Sequence, residues 1–348
     1  MSRNFTSDNI TPVSAEILAA INSANADSVP SYGGDPYTRR LADAASGVFE
    51  TEVAIYPVTT GTAANALALS QFTQGFSAIY CYEAAHIVTD ECGAPEFFTG
   101  GAKLIGLPAG DGRIGAAQIT AAAAFAREMG VHHVKPAVIS ITQSTEWGTV
   151  YDLGHIEQIA AAGKAESLPL HMDGARFANA LVHLKCTPAE MTWKRGVDVL
   201  SLGATKNGAM CAEAVVFFNP KMAADFERRR KRAGHLLSKL RFVSAQLLAY
   251  FDDDLWLRNA ARANAAAEHL AEGLRTIPAA RLLHPVDANE IFVSMPETLL
   301  VALEAEGFGF YRWPLCVPER DVAIRLVTSF ETRLSDVDEF LAACRRLA

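Results

Sequence analysis

Between residues 53 and 220 the chain repeats one pattern: a short apolar run, a small-residue or polar loop, then a helical pattern. Strands read at 53–58, 77–82, 102–108, 137–142, 168–176, 197–203 and 213–218, with helices at 37–49, 61–69, 117–129 and 153–165. Parallel strands need long crossovers, and a helix is the usual one, so this order predicts a mostly parallel sheet covered on both faces.

In such a sheet the ligand crevice lies outside the carboxyl ends of the strands, so polar residues at those ends carry the information. One strand runs through Leu168-Pro169-Leu170-His171-Met172 and ends on Asp173-Gly174-Ala175-Arg176. Another, Val197 to Leu202, opens into Gly203-Ala204-Thr205-Lys206-Asn207-Gly208. Taken alone, Lys206 reads first as a solvated loop lysine and only second as a partly desolvated amine, which makes a good carbonyl nucleophile. Asp173 changes the balance, because a carboxylate beside a glycine at a strand end serves no packing purpose. A third piece, Thr59-Thr60-Gly61-Thr62, opens a good helix. It reads as a plain threonine cap or as a phosphate site built on free N–H groups. A lysine for an imine, a carboxylate for a pyridinium nitrogen and an arginine for anions are the protein's share of pyridoxal phosphate chemistry.

The 348 residues are ample for two domains. Asp252-Asp253-Asp254 marks the expected boundary, with an N-terminal arm and large α/β domain over 1–253. Residues 254–348 read as a smaller α+β domain, with helices at 257–276, 296–307 and 335–347 and strands at 281–286, 290–295, 308–313 and 323–327. Residues 220–253 read as helical and amphipathic. Arg325 sits inside an apolar run, which is costly unless the charge is paired or aimed at an anion.

A net charge of −8 argues against a nucleic-acid binder. The basic run Arg228-Arg229-Arg230-Lys231-Arg232 reads as a solvated or subunit-facing helix. None of the six cysteines forms a Cys-x-x-Cys pair, no apolar run reaches the roughly 18 residues of a membrane span, and no signal region precedes residue 30. The expectation is a reduced, cytoplasmic protein without a membrane anchor.

Two other motifs compete. His86 and Asp90 are four apart, a spacing for one helix face; without a clear third ligand they do not make a metal site. Gly110-Asp111-Gly112-Arg113-Ile114-Gly115 matches the dinucleotide glycine pattern and stands between strand and helix. It predicts a nicotinamide dehydrogenase as a rival, although Pro108 and Ala109 separate strand from glycines. A non-catalytic scaffold is the third reading, disfavoured by polar residues at several strand ends.

The Asp173 and Lys206 motifs together resemble the threonine aldolase and β-eliminating lyase family, pyridoxal phosphate enzymes of the aspartate aminotransferase fold (fold type I). Ser7-Asp8-Asn9, Tyr32-Gly33-Gly34-Asp35, Thr60 to Asn65, His86 and Ile324 to Thr328 extend the resemblance over nearly the whole chain. The segment His86 to Phe98 is most similar to bacterial low-specificity L-threonine and L-phenylserine aldolases. The resemblance implies Lys206 as the Schiff-base amine, Asp173 on the pyridinium nitrogen and His86 stacked on the ring. It implies Gly61, Thr62 and Arg241 on the phosphate. Ser7, Arg176 and Arg325 would take the substrate carboxylate. Tyr32 would reach a neighbouring subunit's site in a homodimer or homotetramer. One departure stands out: Gln143-Ser144-Thr145-Glu146-Trp147 replaces the relatives' Glu-Asn-Thr-His-Asn loop. The histidine proposed there to handle the β-hydroxyl is absent, leaving His86, Asp90 or His132 as substitutes. The expected reaction is cleavage of L-threonine, L-allo-threonine or aryl β-hydroxy amino acids to glycine and an aldehyde; the alternative is β-elimination or transamination on the same cofactor.

Overall fold

A computed structural model describes residues 3–318 and 320–348; the first two residues of the expected arm lie outside them. Seven strands form the main sheet: β1 (Ala54–Val58), β2 (Ser77–Tyr82), β3 (Lys103–Leu107), β4 (Lys135–Thr142), β5 (Leu170–Gly174), β6 (Val199–Gly203) and β7 (Glu213–Phe217). Their order is β1-β7-β6-β5-β4-β2-β3. The run from β6 to β3 is parallel, and β7 enters antiparallel to both β6 and β1. All residues of β2, β5, β6 and β7 are buried, as expected of strands covered by helices on both faces.

The smaller sheet is antiparallel, in the order β10-β11-β9-β8, from β8 (Arg281–Leu282), β9 (Glu290–Pro296), β10 (Tyr311–Arg312) and β11 (Asp321–Val327). The chain enters this region through a turn at Asp252–Asp254, where Asp253 and Asp254 are left-handed (φ 47° and 51°). The helix Leu255–Arg275 follows and packs on both parts: Trp256 stacks on Phe177 at 6.2 Å, while Leu270 and Leu274 join the small core around Phe340.

Four expectations change, the first being that the strand at 281–286 keeps only Arg281–Leu282. The strand at 308–313 shrinks to Tyr311–Arg312 because the N-terminal arm takes its place. Phe5 donates to Gly309 O at 2.7 Å, Val327 donates to Phe5 O at 2.8 Å, and the Phe5 ring lies 5.3 Å from Phe340. The arm therefore packs on the smaller sheet and the helix carrying Phe340. The amphipathic stretch at 220–253 is broken after Phe226–Arg232 by Gly234 (φ +79°), and a helix restarts at Arg241–Phe251. In the basic run Arg230 is not solvated: it is 2% exposed, bonded to Glu227 and Pro57 O, with its guanidinium over Tyr56. Among the described residues no helix is long and apolar enough to cross a membrane.

The loop after β6 is fastened from three sides. Asn207 donates to Tyr250 Oη (2.9 Å) and Trp256 O (2.8 Å), and Asn259 donates to Asn207 O (3.0 Å) and Ser14 Oγ (3.1 Å). Gly208 closes the turn at φ +115°, where a Cβ would collide with Ser14 Oγ and crowd Asn259 Nδ2 at 2.9 Å. Gly208→Ala should therefore destabilise the protein by about 1–3 kcal/mol from backbone strain, with a further loss from the collision. The denaturant midpoint of the purified variant checks this.

Candidate active site

The carboxyl ends of β4, β5 and β6 share one edge, with Thr142 beside Asp173 and Asp173 beside Ser201 in register. A cavity of about 410 Å³ opens there, within the size range of small-molecule sites. It is walled by the loop after β1, the turn after β2, the loops after β4 and β6, and the arm.

Lys206 lies in the short turn Thr205–Asn207, half-buried on the cavity wall, and has no ion-pair partner among the described residues. Glu213 holds its loop by accepting Ala204 N–H at 2.9 Å and Thr205 N–H at 3.4 Å. Burial pushes the Glu213 carboxyl up to about 7. Asp173, 4% exposed, accepts Ala175 N–H at 2.9 Å on Oδ1 and Asn65 Nδ2 at 2.7 Å on Oδ2. Asn65 also donates to Glu91 Oε1 at 2.9 Å, and Glu91 Oε1 bonds His86 Nδ1 at 2.8 Å. The bond to Glu91 raises the His86 imidazole above its ordinary value against the pull of burial, with the charge of Asp173 adding to the rise.

The helix Gly61–Ser70 begins at the cavity. Thr60 caps it through Ala63 N–H, which leaves the first N–H groups, those of Gly61 and Thr62, facing the opening without intrahelical partners. A Cβ on Gly61 would meet nothing within 4 Å. An anion has both room and donors there.

The two arginines differ. Arg176 Nε and Nη2 donate to Asp8 at 2.7 and 3.0 Å, and Nη1 lies 2.9 Å from Glu290 Oε2. Burial opposes the Arg176 charge, yet Asp8 and Glu290 bind its proton more tightly than water does. Burial would lift the Asp8 carboxyl, but Arg176 draws it below its ordinary value. Arg176 thus contributes charge compensation and keeps no spare fork in this arrangement. Arg325 is less committed: Nη2 donates to Thr6 O at 3.3 Å, Nη1 stands 3.6 Å from Glu290, and buried Nε has no partner among the described residues. Its guanidinium lies 4.6 Å over Trp313, on the cavity wall.

Of the residues expected at the site, Ser7, Gly61, Thr62, His86, Asp90, Asp173, Arg176, Lys206 and Arg325 line this one cavity. Asp90 Oδ2 is 3.6 Å from His86 Nε2, at the mouth. His132 is a correction. It is exposed and precedes the amino end of β4, while the cavity lies at the carboxyl end. Eight residues of strand at about 3.3 Å each put roughly 25 Å between them. Arg241 does not line the cavity of its own chain; its guanidinium donates to Asp27 O at 3.0 Å. Tyr32 is also outside, half-exposed under Lys231 at 4.4 Å. The Gly110 run is no phosphate cradle: Gln118 Oε1 takes Gly115 N–H and Tyr151 Oη takes Ile114 N–H. Sequence reasoning assigned no role to Asn65, Glu91, Glu146, Glu213, Asp8 or Glu290. A buried asparagine on an otherwise apolar helix was the one available signal for Asn65.

The donor set fits pyridoxal phosphate: a half-buried lysine, a buried aspartate at the end of the neighbouring strand and an open helix N-terminus. The family described as beta-eliminating lyase matches residues 4–298. The low-specificity L-threonine aldolase of Pseudomonas sp. (strain NCIMB 10558) is 46% identical over 89% of each chain. That of Pseudomonas aeruginosa is 44% identical over the same shares. The solved threonine aldolase of Leishmania major superposes with a TM-score of 0.93 at 28% identity, covering 99% of both chains. This chain belongs to the β-eliminating lyase and threonine aldolase family, pyridoxal phosphate enzymes of fold type I.

Proposed function

We propose that the protein cleaves L-threonine, L-allo-threonine and aryl β-hydroxy-α-amino acids such as L-phenylserine to glycine and an aldehyde. What carries this reading is one cavity that gathers Lys206, Asp173, the Gly61 helix start and Arg325 in a chain whose bacterial relatives are named low-specificity L-threonine aldolases. Pyridoxal phosphate, when bound, supplies an electron-withdrawing ring that stabilises negative charge at Cα of an attached amino acid. Lys206 would hold it through Nζ and would move a proton at Cα. Asp173, held by Asn65 and Ala175 N–H, would keep the ring nitrogen protonated. Gly61 and Thr62 would hold the phosphate, and His86 would lie against the ring. Arg325 and Ser7 would bind the substrate carboxylate.

The reading extends to assembly. It takes the protein as a homodimer or homotetramer, in which Tyr32 and Arg241, both outside the cavity of their own chain, would complete a neighbour's site. The compartment that fits such an enzyme is the cytoplasm.

Lys206→Ala should abolish both cleavage and the bound chromophore, read by aldehyde release and the visible spectrum. Arg325→Ala should raise KM for threonine about tenfold or more, since a charge-assisted carboxylate contact is worth roughly 1.5–3 kcal/mol. Product assay separates the rival chemistry: ammonia and a keto acid in place of glycine and acetaldehyde would overturn the proposal.

A further inference from the structure

Glu146 stands on the cavity wall in the loop after β4, and the mechanism above does not use it. Its loop is rigid. Thr145 N–H donates to Thr149 O at 2.9 Å, Thr149 Oγ1 donates to Asp111 O at 2.7 Å, and Trp147 donates to Tyr82 Oη at 2.8 Å while stacking on His284. The two carboxyl oxygens of Glu146 are unlike. Oε1 is saturated: it accepts His86 N–H at 3.0 Å and Thr142 Oγ1 at 2.6 Å. Oε2 is buried with no hydrogen-bond partner among the described residues. A buried oxygen left this way is costly, whether it bears a charge without a donor or a proton without an acceptor. A hydroxyl is the group that satisfies it in both states, because it donates to the carboxylate and accepts from the acid.

Resting on the aldol reading above, we infer that Glu146 is the catalytic residue that takes the proton from the substrate's β-hydroxyl, through Oε2. As the O–H proton passes to Oε2, its electron pair becomes the second C–O bond of the aldehyde. The Cα–Cβ bond breaks, its pair remains at Cα, and a proton then delivered to Cα completes glycine. Glu146 returns its proton to solvent after the aldehyde leaves.

The surroundings tune the carboxyl for this. Burial pushes it up to about 7, against the bonds from Thr142 and His86 N–H, and the charge of Asp173 on β5 adds to the rise. The other titratable neighbours are His86 on the turn after β2, Cys81 and Tyr82 on β2, and Tyr151. Burial raises all three of the latter, Cys81 to about 12, so none of them is charged at neutral pH.

The test is Glu146→Gln, which keeps an acceptor for His86 N–H and Thr142 but cannot carry the proton. Threonine cleavage is compared with solvent exchange of the glycine α-proton, which needs Lys206 but involves no β-hydroxyl. The variant should lose about 100-fold or more in kcat for cleavage while exchange keeps more than about a tenth of its rate. Wild-type cleavage should fall below about pH 7 as Glu146 protonates, and that limb should vanish in the variant. A second readout needs no activity. A carboxyl raised from 4.5 to about 7 on folding contributes stability below 4.5 that is lost as pH rises to 7. The variant's Tm should therefore gain on wild type across that window. Unchanged cleavage, or cleavage and exchange falling in parallel, would overturn the inference while leaving wild-type aldolase activity intact. Absence of aldehyde from the wild type would overturn both.

Discussion

A negative charge buried at the end of β5 is what the rest of the site is arranged around. Asp173 is nearly closed to solvent, and an uncompensated carboxylate there would cost several kcal/mol. Ala175 N–H and Asn65 Nδ2 donate to its two oxygens, and Asn65 is held in turn by Glu91, which also orients His86. One hydrogen-bonded chain thus links the strand end, the helix that starts at Gly61 and the turn after β2. The lysine lines the same cavity, on a loop tied down by Asn207, Glu213 and Asn259.

The second charged assembly joins distant parts of the sequence. Asp8 from the arm and Glu290 from β9 close on Arg176 from the large sheet, and Arg325 from β11 approaches the same glutamate. The arm and segments of both sheets therefore meet at the cavity through charge, backed by the apolar contact of Phe5 with Phe340. Removing Arg176 would leave the Asp8 carboxylate buried without its arginine, so this cluster constrains how the three segments pack as well as the polarity of the site.

Much of this was legible in one dimension. Strand-helix alternation predicted the parallel sheet. Asp173 and Lys206 were conspicuous because polar residues at strand ends have no packing purpose. Other features were hidden because they depend on what lies alongside. The 308–313 strand was shortened by an arm that begins about 300 residues earlier. Arg230 looked solvated within a basic run but is covered by Tyr56 and Glu227. His132 was a chemically reasonable base, yet it sits at the wrong end of β4.

By itself the sequence determined the period of its apolar residues, and so the element types, the sheet's direction and the edge on which strand-end polar groups emerge. Backbone sterics and local pattern are enough for that. Tertiary structure alone decided which polar groups meet and which remain free. Arg176 and Arg325 were expected to share one role, but one is consumed by Asp8 and Glu290 while the other keeps a donor. Glu146 looks like an ordinary loop glutamate until burial and two donors on one oxygen set its other oxygen apart. Hydrogen-bond partners and local dielectric arise from packing between remote segments, and no reading of spacing along the chain contains them.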